Sequence, residues 1–116
     1  MFEIAFYKLP SGKSPVEEFL DKLPGKKAQK VVWVLNIIEE FSMVLKYFKK
    51  LVNTDDLWEV RVSSGSNIFR LLCFFDGDAV VVVTHAFQKK TQKTPKQAIK
   101  TAEQRKKDYL RRKPHE

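Results

Sequence analysis

Five basic side chains carry what chemistry this chain can be read to hold. Arg61, Arg70 and His85 interrupt stretches made mostly of Val, Leu, Ile and Phe, and Lys89 and Lys90 follow just beyond the last stretch. No Gly-rich phosphate loop, Ser-His-Asp arrangement or metal-ligand cluster accompanies them. Two histidines, at 85 and 115, cannot build a metal site alone, so neither a metal nor another cofactor is expected. What remains is the chemistry of cations: holding a phosphodiester, steering its 2′-hydroxyl and stabilising charge on the transition-state oxygens.

These residues can act together only if the elements carrying them converge. Phe2 to Lys8 alternates loosely with period two before Pro10 and reads as a first strand. Ser14-Pro15-Val16-Glu17 combines a capping hydroxyl, a first-turn proline and a return carboxylate, so it opens a short helix that ends at Pro24-Gly25, with Val16, Phe19, Leu20 and Leu23 inward. Between Lys26 and Phe41, Ala28, Val31, Leu35, Ile38 and Phe41 recur at helical steps. The segment Ser42 to Asn53 fits either a continued helix or a connection and is read as connection. Three strands follow, Leu57 to Val62, Ile68 to Phe75 and Ala79 to Phe87. Thr94-Pro95-Lys96-Gln97 then repeats the cap device and opens a basic helix to about Arg112, with Ala98, Ile99, Ala102 and Tyr109 inward. The order βααβββα predicts an α+β layer fold with an antiparallel meander.

Register decides the convergence. A two-residue turn at Asp76-Gly77 pairs Phe75 with Asp78 and sets Arg70 and His85 on one face as diagonal neighbours; a three-residue turn sets them on opposite faces. Likewise a four-residue loop, Ser64 to Asn67, puts Arg61 directly opposite Arg70, and a five-residue loop does not. Facing arginines repel unless an anion lies between them, so the converging register implies a phosphate site. The ordinary alternatives are that each Arg is a solvated edge residue or a salt-bridge partner, with Glu59 available to Arg61, and that His85 is a satisfied polar group at a sheet margin.

The chain has 116 residues and 13.6 kDa, room for one core; one domain over residues 1–112 is expected, with 113–116 as a frayed tail. Its net charge of +8 is unevenly placed. Residues 1–84 hold 11 basic and 11 acidic side chains, and residues 85–116 hold 11 basic and 3 acidic ones. A segregated surplus suits an anionic partner, nucleic acid first and an acidic protein or membrane surface second. On the last helix the excess lacks matching i, i+4 acids, a repulsion that an anionic ligand relieves. The single Cys73 excludes an internal disulfide and reads as a buried, inert thiol. With no signal-peptide pattern and no apolar span, a cytoplasmic protein without a membrane partner is expected.

At Leu57-Trp58-Glu59-Val60-Arg61, at Ile68-Phe69-Arg70-Leu71-Leu72 and from His85-Ala86-Phe87-Gln88-Lys89-Lys90 to Thr94-Pro95, the chain resembles the HigB-like, phage-derived branch of the RelE toxin superfamily. The likeness extends through Ala102 and Arg105, covers roughly residues 55–112, and is one of element order alone before that. It implies a RelE-like two-layer fold, with a small antiparallel sheet, two N-terminal helices and a basic C-terminal helix. It also implies a type II toxin: a metal-independent mRNA endoribonuclease, in most relatives acting in the ribosomal A site and silenced by a cognate antitoxin, in this branch a helix-turn-helix protein. By position, Arg61 and Arg70 bind and polarise the scissile phosphate and Lys89, with Lys90, takes the basic place after the last strand; His85 stands behind them. Lys93, Lys96, Lys100 and Arg105 are the RNA-binding set.

Proton transfer is the open part of this reading. Tyr109 lies on the helix and His115 in the tail, and neither matches the C-terminal acid or base of relatives. A lysine at its reference pKa is only about 0.04% deprotonated at pH 7 and needs neighbouring cations or burial to act as base, whereas an ordinary histidine is well matched. On this reading Arg70→Ala leaves the fold intact and abolishes toxicity. The competing function is a non-catalytic RNA- or ribosome-binding module on the same fold. The basic surface is also a docking place for an acidic antitoxin segment.

Overall fold

The computed structural model describes residues 1–90 and 94–114. The chain runs β1 (Glu3–Phe6), α1 (Pro15–Asp21), α2 (Gly25–Phe41), β2 (Phe48–Lys50), β3 (Trp58–Ser64), β4 (Asn67–Asp76), β5 (Val80–Gln88) and α3 (Lys96–Arg112). Its five-stranded sheet has the order β1-β5-β4-β3-β2. The α+β class, the paired N-terminal helices, the C-terminal helix and the β3-β4-β5 meander are as expected. The sheet, however, is mixed, because β1 pairs in parallel with β5, with Phe6 beside Val83. A further strand, β2, lies in the segment read as connection and pairs with residues 58–60 of β3. It is three residues long with only Phe48 buried, too short for any period to declare it.

The two-layer expectation also changes. Phe69 to Phe74 of β4 is buried without interruption, the signature of a strand covered on both faces. Odd residues Phe69, Leu71 and Cys73 pack with Val31, Val34, Leu35 and Ile38 from α2. Even residues Leu72 and Phe74 pack with Leu57, Val82, Ala98 and Ala102, the last two from α3. The sheet is thus sandwiched, with α3 alone on the second face; its small Ala98 and Ala102 let the helix lie close. Cys73 is buried in the first of these cores, as expected, and burial pushes its thiol pKa well up.

Local signals fared unequally. Ser14 caps α1, its Oγ accepting from the Glu17 amide at 3.3 Å, and Pro15 occupies the first turn. The similar Thr94-Pro95 device does not cap α3: Pro95 takes the cap position without a side-chain bond, and the Thr94 hydroxyl is engaged elsewhere. On α2, Val34 is buried and Phe41 is 63% exposed, because the helix stops there and Ser42 turns away with φ 63°.

Candidate nucleic-acid interface

The β3-β4 hairpin closes through Gly65-Ser66, with Ser64 paired to Asn67 and Gly65 at φ 61° supplying the positive angle such a turn needs. Arg61 therefore lies directly opposite Arg70, the converging register. The β4-β5 hairpin reaches the same result by another route. Asp76 pairs with Val80 across a three-residue loop, which by itself would put Arg70 and His85 on opposite faces. A bulge corrects the phase: Leu72 pairs with His85 and Cys73 with Val83, leaving Thr84 extra. Its hydroxyl donates to the Leu72 carbonyl at 3.0 Å. Arg70, facing Phe87, and His85, facing Leu72, then share the α3 side of the sheet with Arg61.

The anion beside Arg70 is the protein's own. Glu59, 2% exposed, accepts from Arg70 Nη1, and its other oxygen accepts from Thr94 Oγ1 at 3.2 Å. The sequence offered Glu59 to Arg61; the structure gives it to Arg70, which is buried, while Arg61 stays exposed. Arg70 Nε is buried without a hydrogen-bond partner among the described residues. Lys89 completes the group. Its amide donates to the Ile68 carbonyl at 2.7 Å, extending the β4-β5 pairing past β5. Desolvation and the neighbouring Arg70 and Arg61 lower its ammonium pKa, with Glu59 opposing. That is the direction a lysine base requires.

His85 departs from expectation. Burial, then the Arg105 guanidinium, push its pKa down to about 4 rather than leaving it near neutrality. Arg105 Nη1 donates to the Thr84 carbonyl at 2.8 Å and lies 3.3 Å from His85 Nδ1. A guanidinium can only donate, so Nδ1 accepts and the ring proton sits on Nε2. His85, stacked on Phe87 at 5.7 Å, is therefore a neutral donor at pH 7.

The remaining candidates divide. Lys90, Lys96 and Lys100 are exposed, the last two one turn apart at the start of α3. Arg105 is half-buried against the sheet and belongs with His85 rather than with that surface. Lys93 and His115 lie outside the described residues. Tyr109 donates to Asp76 at 2.7 Å, and burial followed by that bond raises its pKa to about 12. The sequence reading offered Glu59 only to Arg61 and Thr94 only as a cap, so their shared contact was missed, and the Thr84 bulge escaped it altogether. An acid alternating with a cation across one strand was the available signal for Glu59; nothing local marked the other two.

Two cavities flank these groups. One of about 490 Å³ lies between α3 and the segment after β1, and its central acid, Asp108, is already engaged by Tyr7, Arg111 and Arg112. The other, about 330 Å³, opens beside Arg61. Among the described residues no group of three His, Cys, Asp or Glu side chains is placed to hold a metal, and no helix is long and apolar enough to cross a membrane.

The model of the family described as "Phage derived protein Gp49-like (DUF891)" matches residues 18–107, a span holding every basic residue of the group from Arg61 to Arg105. No curated protein matches the chain.

Proposed function

Since the chain belongs to the phage-derived Gp49-like family, part of the RelE/HigB-like toxin superfamily, we propose that it is a type II toxin that cuts mRNA without a metal, within the ribosomal A site, and is silenced by a helix-turn-helix antitoxin. The observation that carries this reading is the convergence of Arg61, Arg70 and Lys89 at one end of the sheet, with the Lys89 ammonium pKa lowered. In the cut, the 2′-oxygen bonds to phosphorus, the bond from phosphorus to the 5′-oxygen breaks with its electron pair leaving on that oxygen, which takes a proton from water to become the 5′-hydroxyl, and a 2′,3′-cyclic phosphate remains. Lys89 takes the 2′-hydroxyl proton. Arg61 meets the non-bridging oxygens from the exposed side, and Arg70 adds charge from beneath. The Nε2–H of His85 donates toward the same oxygens. Lys90 supports Lys89, while Lys96 and Lys100 carry the flanking backbone.

Induced cells provide the test: their RNA should carry 2′,3′-cyclic ends. Arg61→Ala should cut about 10²–10³ times more slowly, the usual loss for one transition-state donor. Wild-type rates in a folded Arg61→Ala variant would remove the assigned role. One observation favours the second reading, a module that binds RNA without cutting: His85 presents a donor, not a base, which leaves proton abstraction to a lysine alone. Absence of cyclic ends, with RNA binding intact, would select it.

A further inference from the structure

The 330 Å³ pocket beside Arg61 is lined by Lys30, Lys46, Tyr47, Arg61 and Ser63. We propose that it is a second nucleotide subsite, which holds the base of a neighbouring residue of single-stranded RNA against Tyr47 and its phosphate among Lys30, Lys46 and Arg61. This rests on the RNA-binding reading above and adds a place where the strand continues.

Four observations lead there. First, the pocket gathers three cations, and none of them is in an ion pair among the described residues, whereas most cations of the second half of α3 are paired. Like charges held together without an acid favour an anionic occupant. Second, the aromatic wall is fixed. Tyr47 meets Trp33 edge to face at 6.2 Å, Lys30 Nζ lies 4.8 Å from the Trp33 ring centre, and Lys46 Nζ lies 5.3 Å from that of Tyr47. The Tyr47 carbonyl accepts from the Arg61 amide at 2.8 Å, which ties the wall to the strand carrying the site. Third, β2 pairs only with residues 58–60, so the β3 edge at Ser63 is uncovered by a strand and its side chain is exposed. Fourth, Arg61 belongs to both places: it lines this pocket and lowers the Lys89 pKa.

The pocket has no aliphatic wall for an amphipathic peptide, and a volume at the small-ligand end of the usual range, above about 300 Å³. An aromatic platform with flanking cations is the ordinary device for an unpaired nucleotide.

An eight-nucleotide RNA, 2′-O-methylated throughout so that it cannot be cut, is titrated by fluorescence anisotropy against the wild type, Tyr47→Phe, Tyr47→Leu and the Lys30→Ala/Lys46→Ala double variant. Folding of each is checked by circular dichroism; the double variant removes exposed Lys46 and half-buried Lys30 and no core residue, so it serves if Tyr47→Leu does not fold. Tyr47→Leu should bind roughly 5–150 times more weakly and Tyr47→Phe about as wild type. The double variant should lower the slope of log affinity against log salt by about 0.7, the one phosphate the subsite holds. Wild-type affinity in Tyr47→Leu, or in the double variant with an unchanged slope, overturns the subsite. So does displacement of the RNA by polyglutamate that discriminates the same variants, which would assign the pocket to an acidic peptide. If the variants lose binding while the wild type leaves RNA uncut, the subsite stands and the cutting reading falls. If they bind and cut as wild type does, the subsite alone falls.

Discussion

Arg70 has two duties that conflict in any simple substitution. It is one of the cations of the proposed site, and it is the buried partner of a buried carboxylate. Removing one member of such a pair leaves the other charge desolvated and uncompensated, a cost of about 3–5 kcal/mol. Set against a typical total of about 5–15 kcal/mol, that is a large share. Arg70→Ala therefore does not leave the fold untouched. Urea unfolding should show Arg70→Ala and Glu59→Ala both destabilised by that amount, and Arg61→Ala within about 0.5 kcal/mol of wild type because its side chain is exposed. Equal midpoints for all three would mean that the Glu59–Arg70 pair is not buried in solution.

His85 makes a second prediction at this scale. Its folded pKa, about 4, lies below the unfolded value of about 6.5, so the unfolded chain binds the extra proton between those limits. Stability from the neutral ring is then full above pH 6.5 and declines as the pH falls toward 4. With the ring only half-buried, the loss should be on the order of 1–2 kcal/mol. His85→Gln should remove that part of the slope between pH 6.5 and 4.5 in urea titrations. An unchanged slope in the variant would place the proton-linked group elsewhere.

At the scale of elements, the β4-β5 hairpin shows how far local reading reaches. The strands and the Asp76-Gly77 turn were legible, since alternation and an Asp-Gly pair are sequence signals, whereas the common face of Arg70 and His85 was one of two registers the turn left open. The loop length was not legible, because two- and three-residue turns accept the same dipeptide. Nor was the bulge, whose partner, the Leu72 carbonyl, lies 12 residues away. The two offsets cancel, so the convergent face survives. Arg61 was easier, as its hairpin has a single Gly at the position that needs positive φ. The cap at Thr94 misled for a related reason: a buried Glu59 competes for its hydroxyl, and that contact spans 35 residues. Thr84→Val should cost about 1–2 kcal/mol by leaving the Leu72 carbonyl without its side-chain donor. It should also weaken cutting, because the phase of His85 depends on the bulge. A variant that keeps both wild-type stability and wild-type rate would show that the bulge holds without the hydroxyl.

Over the whole molecule, the surplus of +8 is not spread along the tail as the sequence count suggests. Folding pairs Arg111 and Arg112 with Asp108, Lys113 with Asp76 and Lys106 with Asp55, so the second half of α3 is largely compensated by acids, two of them from outside the helix. The repulsion expected along the helix is relieved there by the protein itself. What stays unpaired among the described residues includes Lys89, Lys96 and Lys100 around the start of α3, with Arg61 and Lys46 at the β3 edge. Pairing sets Arg61 opposite Arg70 and Lys89 beside Ile68, so cations of the net-neutral part and of the basic tail meet at one end of the sheet, where a single-stranded polyanion can reach both. If these five cations each neutralise one phosphate, log affinity for single-stranded RNA should fall with log salt at a slope near −3.5. Lys96→Ala/Lys100→Ala should bring it to about −2.1, while Lys113→Ala, which removes a cation already paired, should leave it near −3.5. A flat response in the wild type would mean that the unpaired cations are not what holds RNA; a full loss in Lys113→Ala would mean that the ion pairs of α3 open when RNA binds.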